Sequence, residues 1–526
     1  MNEHQILYDF KKKIECEIQK NKLFSLPIEE AYFLLFEKAG VLYKLTLINQ
    51  NKIQKIIKEY YDTKQERIDE LSFFQESIKW IMRWCTQYCI NTPQKQAEKI
   101  QVEDIFKLMG IAYAYDRFHL FWDLHNKGIM RYRKDKNHIT FNYTNEEVFK
   151  QHVCYDSLLR ETTEHEGLNN ISGSIRTDYK ELMKQVHHLD FNCNIKVEFS
   201  GFDLEDYKEF TTALTDLFTE NFLSKKKNNT YILHVNNEVG LIYSKDDWVI
   251  KIVEKSTLDT KKVIDIINFF TYDNLLKSDV SLTYFIHLKN DLLLVPEVIF
   301  SLTRPEVNAL RLLAKRQFKS YDKAQNNFEY EMISKITNNI FSNYLTSNKD
   351  EKSKNIRPGM DLLIYDENNN ELQVVELKYK IPVESGRDIL NLDKMLEEGY
   401  NQIGEAKEYV QANVLTILEE YYGEKYKGVK PKNVDYFIIT NYSIGTGGKK
   451  EIPTPILNID HYVELMKDSN GLDKVRSSLY SKNKKIVPPV TKKYCFFKLL
   501  GYRVTYPEYK FIMKTKLLKS HLDSLQ

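Results

Sequence analysis

Between Gly359 and Lys378 the chain carries three charged residues, Asp361, Glu376 and Lys378, that come together if the segment folds as a β-hairpin. Two apolar runs of strand character, Asp361 to Tyr365 and Leu372 to Tyr379, flank Asp366-Glu-Asn-Asn-Asn-Glu371, whose residue types tolerate left-handed backbone and cap their own amides. With those six residues as the loop, Tyr365 faces Leu372, Leu363 faces Val374 and Asp361 faces Glu376, with Cβ atoms about 4.5 to 5.5 Å apart. Lys378, two residues beyond Glu376, falls on the same face. Leu362, Leu363, Ile364, Val374, Val375 and Leu377 predict a hairpin covered on both sides, where a pair of unpartnered carboxylates is costly. A divalent cation between Asp361 and Glu376 removes that cost, and oxygen ligands without a nearby His or Cys favour Mg²⁺ or Mn²⁺ over zinc. Lys378 is then placed to hold a scissile phosphate or to position an attacking water.

The elements around the hairpin follow from apolar spacing. Upstream, Phe328, Met332, Ile333, Ile336 and Ile340 recur at helical intervals; Glu329 falls inside that apolar arc and Glu331 well away from it. Downstream, the stretch from Leu396 to Val410 reads as a helix running on towards Glu420, with Gln402 and Tyr409 about two turns apart on one face. Val434 to Thr440 suits a central strand, and Ile456 to Met466 reads as strand then helix.

An Asp at the start of one strand followed by Glu-x-Lys on the next resembles the PD-(D/E)xK nuclease superfamily, over about residues 320–466. Gly359-Met360-Asp361 stands where the family often has Pro-Asp. The resemblance implies an α/β fold: a restriction-endonuclease-like core, a mixed sheet flanked by helices. It further implies that a Glu on the helix before the Asp strand reaches the metal site, with Glu329 the candidate and Glu331 the alternative, and that Gln402 and Tyr409 line the cleft. Asp361, Glu376, the Leu377 carbonyl and Glu329 would then hold Mg²⁺ or Mn²⁺, with Lys378 orienting the nucleophile or stabilising the transition state. The implied activity is metal-dependent endonucleolytic cleavage of DNA in restriction or phage defence, with RNA open as a substrate. A non-catalytic nucleic-acid-binding or assembly subunit, and a nuclease subunit that needs a separate ATPase partner, stay open beside it, as does a homo-oligomer.

At 526 residues the chain exceeds what one hydrophobic core supports, so roughly two to four domains are expected. Residues 1–190 read mainly as helices, with strands near Arg131 to Tyr143. A mixed α+β middle domain follows at 191–303, with strands at Ile195 to Phe199, Tyr231 to Val235, Val239 to Tyr243, Trp248 to Val253 and Leu292 to Val295. The nuclease-like domain is expected at 304–470 and a basic, aromatic C-terminal segment at 471–526. Residues 474 to 519 hold thirteen Lys or Arg against one acid, Glu508; that +12 leaves −10 for the rest of a chain whose net charge is +2. Tyr480, Tyr494, Phe496, Phe497, Tyr502, Tyr506, Tyr509 and Phe511 interleave with those cations, a composition suited to phosphates and unpaired bases.

Other chemistry finds little support. Cys85 and Cys89 lack a second pair at zinc-site spacing and read as core thiols, and His187-His188 with Cys193 is too loose for a metal site. Ile444-Gly-Thr-Gly-Gly-Lys-Lys450 lacks the Gly and the Ser or Thr of a phosphate loop, so no ATPase motor is expected. The most apolar stretch, Leu292 to Leu302, is broken by Pro296 and Glu297, and Asn2 to Asp9 mixes charges. A cytoplasmic protein without a membrane partner is expected.

Overall fold

A computed structural model describes residues 3–48, 58–60, 70–90, 100–144, 146, 195–227, 239–273, 279–348, 357–381, 386–441, 454–481 and 490–511. The chain is mixed α/β, with fourteen α-helices and three sheets among those residues. It divides into two compact units. The first contains Met1–Thr144, His165–Phe318 and Lys493–Glu508; the second contains Asn145–Glu164, Lys319–Lys492 and Tyr509–Gln526.

The first unit begins with helices α1 (Glu3–Gln19), α2 (Ile28–Ile48), α3 (Glu70–Tyr88) and α4 (Val102–Asn126). Their shared core is aromatic, with Phe10, Phe36, Phe73, Trp84 and Phe118 fully buried, and Cys85 is buried among them. The hairpin β1 (Met130–Asp135) and β2 (His138–Tyr143) follows α4. Next come α5 (Leu204–Lys227), β3 (Gly240–Ser244), α6 (Lys245–Val253), α7 (Thr260–Phe269), β4 (Ile286–His287), β5 (Leu292–Pro296), α8 (Glu297–Phe300) and α9 (Pro305–Arg316). β3, β5 and β4 make an antiparallel sheet in that order.

The run Trp248 to Val253, expected as a strand, is helix α6. Ser244 caps it, accepting from the Asp247 backbone N–H at 3.1 Å, and Trp248, Val249 and Ile252 form its buried side while Ile250 is exposed. Capping and burial outweigh the strand preference of β-branched residues. Ile195 to Phe199 forms only an isolated bridge, Glu198 with Asp203. Tyr231 to Val235, His187, His188, Cys193 and the loop 444–450 lie outside the described residues.

The second unit starts with α10 (Phe318–Thr337), β6 (Tyr344–Asn348), β7 (Leu362–Asp366) and β8 (Glu371–Lys378). It continues with α11 (Gly386–Ala412), α12 (Ile417–Tyr422), β9 (Asn433–Thr440), β10 (Ile456–Asn458), α13 (Ile459–Met466) and α14 (Gly471–Ser481). Its five strands lie in the order β10-β9-β8-β7-β6, with β6, β7 and β8 antiparallel and β8, β9 and β10 parallel. Strand alternation divides the core in two. Leu362, Ile364, Val375 and Leu377 face Met332, Ile333 and Ile336 of α10 together with α13 and α14. Leu363, Tyr365, Leu372 and Val374 face Ile403, Ala406 and Val410 of α11 together with α12.

Two expected boundaries move, and the one expected at 190 does not separate the two units, since residues on either side of it belong to the first. α9 falls in the first unit, so the division lies at residue 318 rather than 304. α14 buries Leu472 and Val475 in the second unit's core, so that core runs past 470. β11 (Val490–Leu499) and β12 (Tyr502–Phe511) then complete a sheet ordered β1-β2-β12-β11, drawing part of the basic segment into the first unit. Among the described residues no helix is long and apolar enough to cross a membrane.

Candidate active site

The β7–β8 hairpin has the expected register: Leu362 faces Val375, Leu363 faces Val374 and Tyr365 faces Leu372. The loop is shorter than the six residues read from the sequence, because Asp366 and Glu371 pair as strand residues. Asp366 closes it by accepting from the Asn368 and Asn369 backbone N–H groups at 2.9 and 3.3 Å, and Asn370 takes the left-handed conformation at φ 58°. One further step along the ladder sets Asp361 opposite Glu376.

Asp361 arrives there from a tight turn. The Met360 N–H donates to the Arg357 carbonyl at 3.3 Å and Gly359 has φ +80°, as in a type II turn with Pro358 in its second position. A Cβ at Gly359 would lie 2.2 Å from the Gln402 carbonyl oxygen and 2.8 Å from the Ile403 Cα. The turn therefore rests directly on the α11 backbone. Tyr409, expected to line the cleft beside Gln402, anchors this turn instead: Arg357 lies over its ring at 3.6 Å, and its hydroxyl donates to Glu420 Oε2 at 2.5 Å.

Asp361, Glu376, Lys378 and Gln402 form one connected group on the α11 side of the sheet. Asp361 Oδ2 accepts from the Leu377 N–H at 2.8 Å. Lys378 Nζ donates to Glu376 Oε1 at 2.5 Å and to Gln402 Oε1 at 2.6 Å. The lysine stem runs past Gly399, where a Cβ would lie 3.4 Å from Lys378 Cε and 3.2 Å from Ile438 Cδ1. No turn role is expected of Gly359 from the sequence, nor any role of Gly399, although Pro358-Gly359 is a turn signal and a lone glycine inside a helical pattern can mark close packing.

The electrostatics are unbalanced. Glu376 is 2% exposed, and burial first, then the adjacent Asp361 carboxylate, push its pKa up to about 8 against the opposing pull of Lys378. Glu376 Oε2 is buried without a hydrogen-bond donor. It lies beside Asp361, and two ionised carboxylates have no donor to share, a repulsion that a proton or a cation between them would relieve.

The donor set fits a hard divalent cation. A strand residue directs its N–H and C=O to the same side, so the Leu377 N–H bond to Asp361 turns the Leu377 carbonyl that way too. Asp361, Glu376 and that carbonyl are all oxygen donors of the kind Mg²⁺ or Mn²⁺ takes. Glu329 does not join them. It is half-buried on α10, whose apolar side packs on the opposite face of the sheet, where Phe328 stacks on Tyr379 at 4.1 Å. Glu331 on the same helix is exposed. Among the described residues no three His, Cys, Asp or Glu side chains gather as a metal-binding group. Comparison of the chain with protein-family models, curated proteins and solved structures finds no match.

Proposed function

We propose that the second unit is a PD-(D/E)xK-type endonuclease that hydrolyses DNA phosphodiester bonds with Mg²⁺ or Mn²⁺, in restriction or phage defence. The observation that carries this reading is the buried Glu376 carboxyl set against the Asp361 carboxylate, with Glu376 Oε2 lacking a donor and Lys378 directly alongside. Asp361, Glu376 and the Leu377 carbonyl would hold the ion, which when bound supplies Lewis-acid stabilisation of phosphate charge and acidifies bound water.

The chain's own groups do the rest. Lys378, held between Glu376 and Gln402, presents a positive charge to a phosphate oxygen or orients the attacking water. Gln402 fixes the lysine from α11 and keeps a side-chain amide at the rim for the nucleic acid. Gly359 lets Asp361 and Gln402 approach through direct backbone packing, so both walls of the site come from one rigid contact.

Supercoiled plasmid and an RNA panel incubated with the protein and Mg²⁺ or Mn²⁺ test the reading. Nicking or linearisation of DNA by the wild type, lost in Asp361→Ala and Lys378→Ala, is expected. Cleavage that persists unchanged in both variants, or no metal-dependent cleavage of any substrate, overturns it.

A further inference from the structure

The sheet β1-β2-β12-β11 of the first unit has two contrasting faces. One packs on α4: Phe121 meets Phe141, Tyr506 and Phe497 with ring centroids 5.5, 4.8 and 6.4 Å apart. Ile139, Cys495, Leu499 and Val504 are buried on that side as well. By strand alternation the opposite face carries Arg131 and Arg133 of β1, Arg503 of β12, and Tyr494, Phe496 and Lys498 of β11. The registers agree, since Arg131 pairs with Asn142, Arg133 with Thr140 and Arg503 with His138.

This face is basic. Arg131, Arg133, Lys498 and Arg503 are exposed, and none forms an ion pair with a described residue. In the four strands the acid on this face is Asp135 at the end of β1, whereas Glu508 points to the buried side and accepts from Cys495 Sγ. The face is also an aromatic platform. The Tyr494 hydroxyl donates to Asn142 Oδ1 at 2.9 Å, from β11 across β12 to β2. Neighbouring strands are about 4.8 Å apart, so the ring reaches that partner only by lying along the sheet. Tyr494 is 47% exposed. Arg503 is stacked at 3.7 Å over the Phe496 ring beside it.

We propose that this face binds single-stranded nucleic acid, with the four cations along the phosphates and Tyr494 stacked on an unpaired base. Cations alone would serve an acidic protein equally well, and a duplex hides its base faces. A flat exposed ring set among arginines fits a strand whose bases are free. The site joins the N-terminal hairpin to the basic C-terminal strands, and it is independent of the metal-site reading of the second unit.

Fluorescence anisotropy with labelled oligothymidylate and oligouridylate tests it on the full chain carrying Asp361→Ala in EDTA, so that cleavage and metal-bridged binding play no part. Arg131→Ser, Arg133→Ser and Arg503→Ser together are expected to weaken binding at least tenfold and to reduce the log–log salt slope by about 2, at about 0.7 per phosphate contact on a single strand. Tyr494→Ala is expected to cost about tenfold, while Tyr494→Phe, which keeps the ring and loses the hydroxyl, retains binding. Thermal melting of each variant checks that the sheet is intact. Unchanged affinity and salt slope in the triple variant, wild-type binding by folded Tyr494→Ala, or equal affinity for duplex DNA or polyglutamate overturns the proposal.

Discussion

The two ends of strand β8 each hold two carboxylates and one cation, with Glu371, Asp435 and Glu376 buried and Asp361 half-buried, yet they behave oppositely. At its start, Arg476 of α14 donates to Glu371 Oε1 at 2.8 Å and to Asp435 Oδ2 at 2.9 Å, and Asn433 donates to Glu371 at 2.8 Å. Burial raises the Glu371 pKa, but the bonds from Arg476 and Asn433 outweigh it and hold the carboxyl below its usual range. At its end, Lys378 bonds Glu376 and Gln402, and Glu376 is pushed up to about 8. Both glutamates leave one oxygen without a hydrogen bond, so bond counting does not separate the two clusters. What separates them is placement. The guanidinium fork lies between its two carboxylates and serves both, whereas the lysine meets one carboxylate and the second negative group stands against the first. The first cluster ties a helix to the sheet, and in the second the carboxylates stand against each other with the lysine on only one of them.

The largest contrast is expected from exchanging the losses. Lys378→Met should lower DNA cleavage by about a thousandfold while changing stability by less than about 1 kcal/mol, because Glu376 answers by taking up a proton rather than by unfolding the strand. Arg476→Met should do the reverse. It strands two carboxylates that are 6% and 7% exposed and should cost about 3 kcal/mol in urea unfolding, with cleavage kept below the melting temperature. If both substitutions act alike, the two clusters are not different in kind.

Titration sharpens the comparison at the next level. A carboxyl near about 4.3 in the unfolded chain and about 8 when folded binds its proton more tightly in the native state. Its contribution is complete below the lower value and is lost as pH rises through the upper one. In EDTA, wild-type stability should therefore fall between pH 5 and pH 8. Glu376→Gln should flatten that fall and be more stable at pH 8 by on the order of 2 kcal/mol. A wild-type profile that rises over this window contradicts the assignment. The smallest effect is expected at Gly399, where an added methyl meets only the flexible Lys378 stem and Ile438. Gly399→Ala should leave stability within about 1 kcal/mol, since helix propensity favours alanine, but displace the lysine and slow cleavage about tenfold. An unaltered turnover rate would show that the lane past Gly399 does not set the lysine.

Much of the second unit was legible from local pattern. Alternating apolar residues on either side of an Asp- and Asn-rich turn set the hairpin register, because a slip of one residue would exchange its two buried faces. Of the five apolar residues from Phe328 to Ile340, four fall on α10 as predicted and are buried, Phe328, Met332, Ile333 and Ile336, while Ile340 lies past the helix end at Thr337 and packs against the same core. Glu329 illustrates the limit of that method. Its place on the helical wheel suggested burial towards the site, but a wheel does not say which face of the sheet the helix covers. Trp248 to Val253 illustrates another, because an apolar run of that length suits a strand or a helix until a cap decides.

Residue order alone carried the facing of Asp361 and Glu376, the placement of Lys378 beside them and the pairing of cations with aromatics near the C-terminus, since each depends only on strand alternation or composition. Tertiary packing decided that Gln402 meets Lys378, that Gly359 and Gly399 leave room for the contact, and that Tyr409 holds the turn rather than the cleft. It also decided that the C-terminal strands join the hairpin along His138 to Thr140 of β2, more than three hundred residues earlier in the chain, and so share a face with Arg131 and Arg133 of β1. Periodicity reports which way a side chain points within its own element. Which element lies opposite is set by the sum of many long-range burials, and no single segment encodes it.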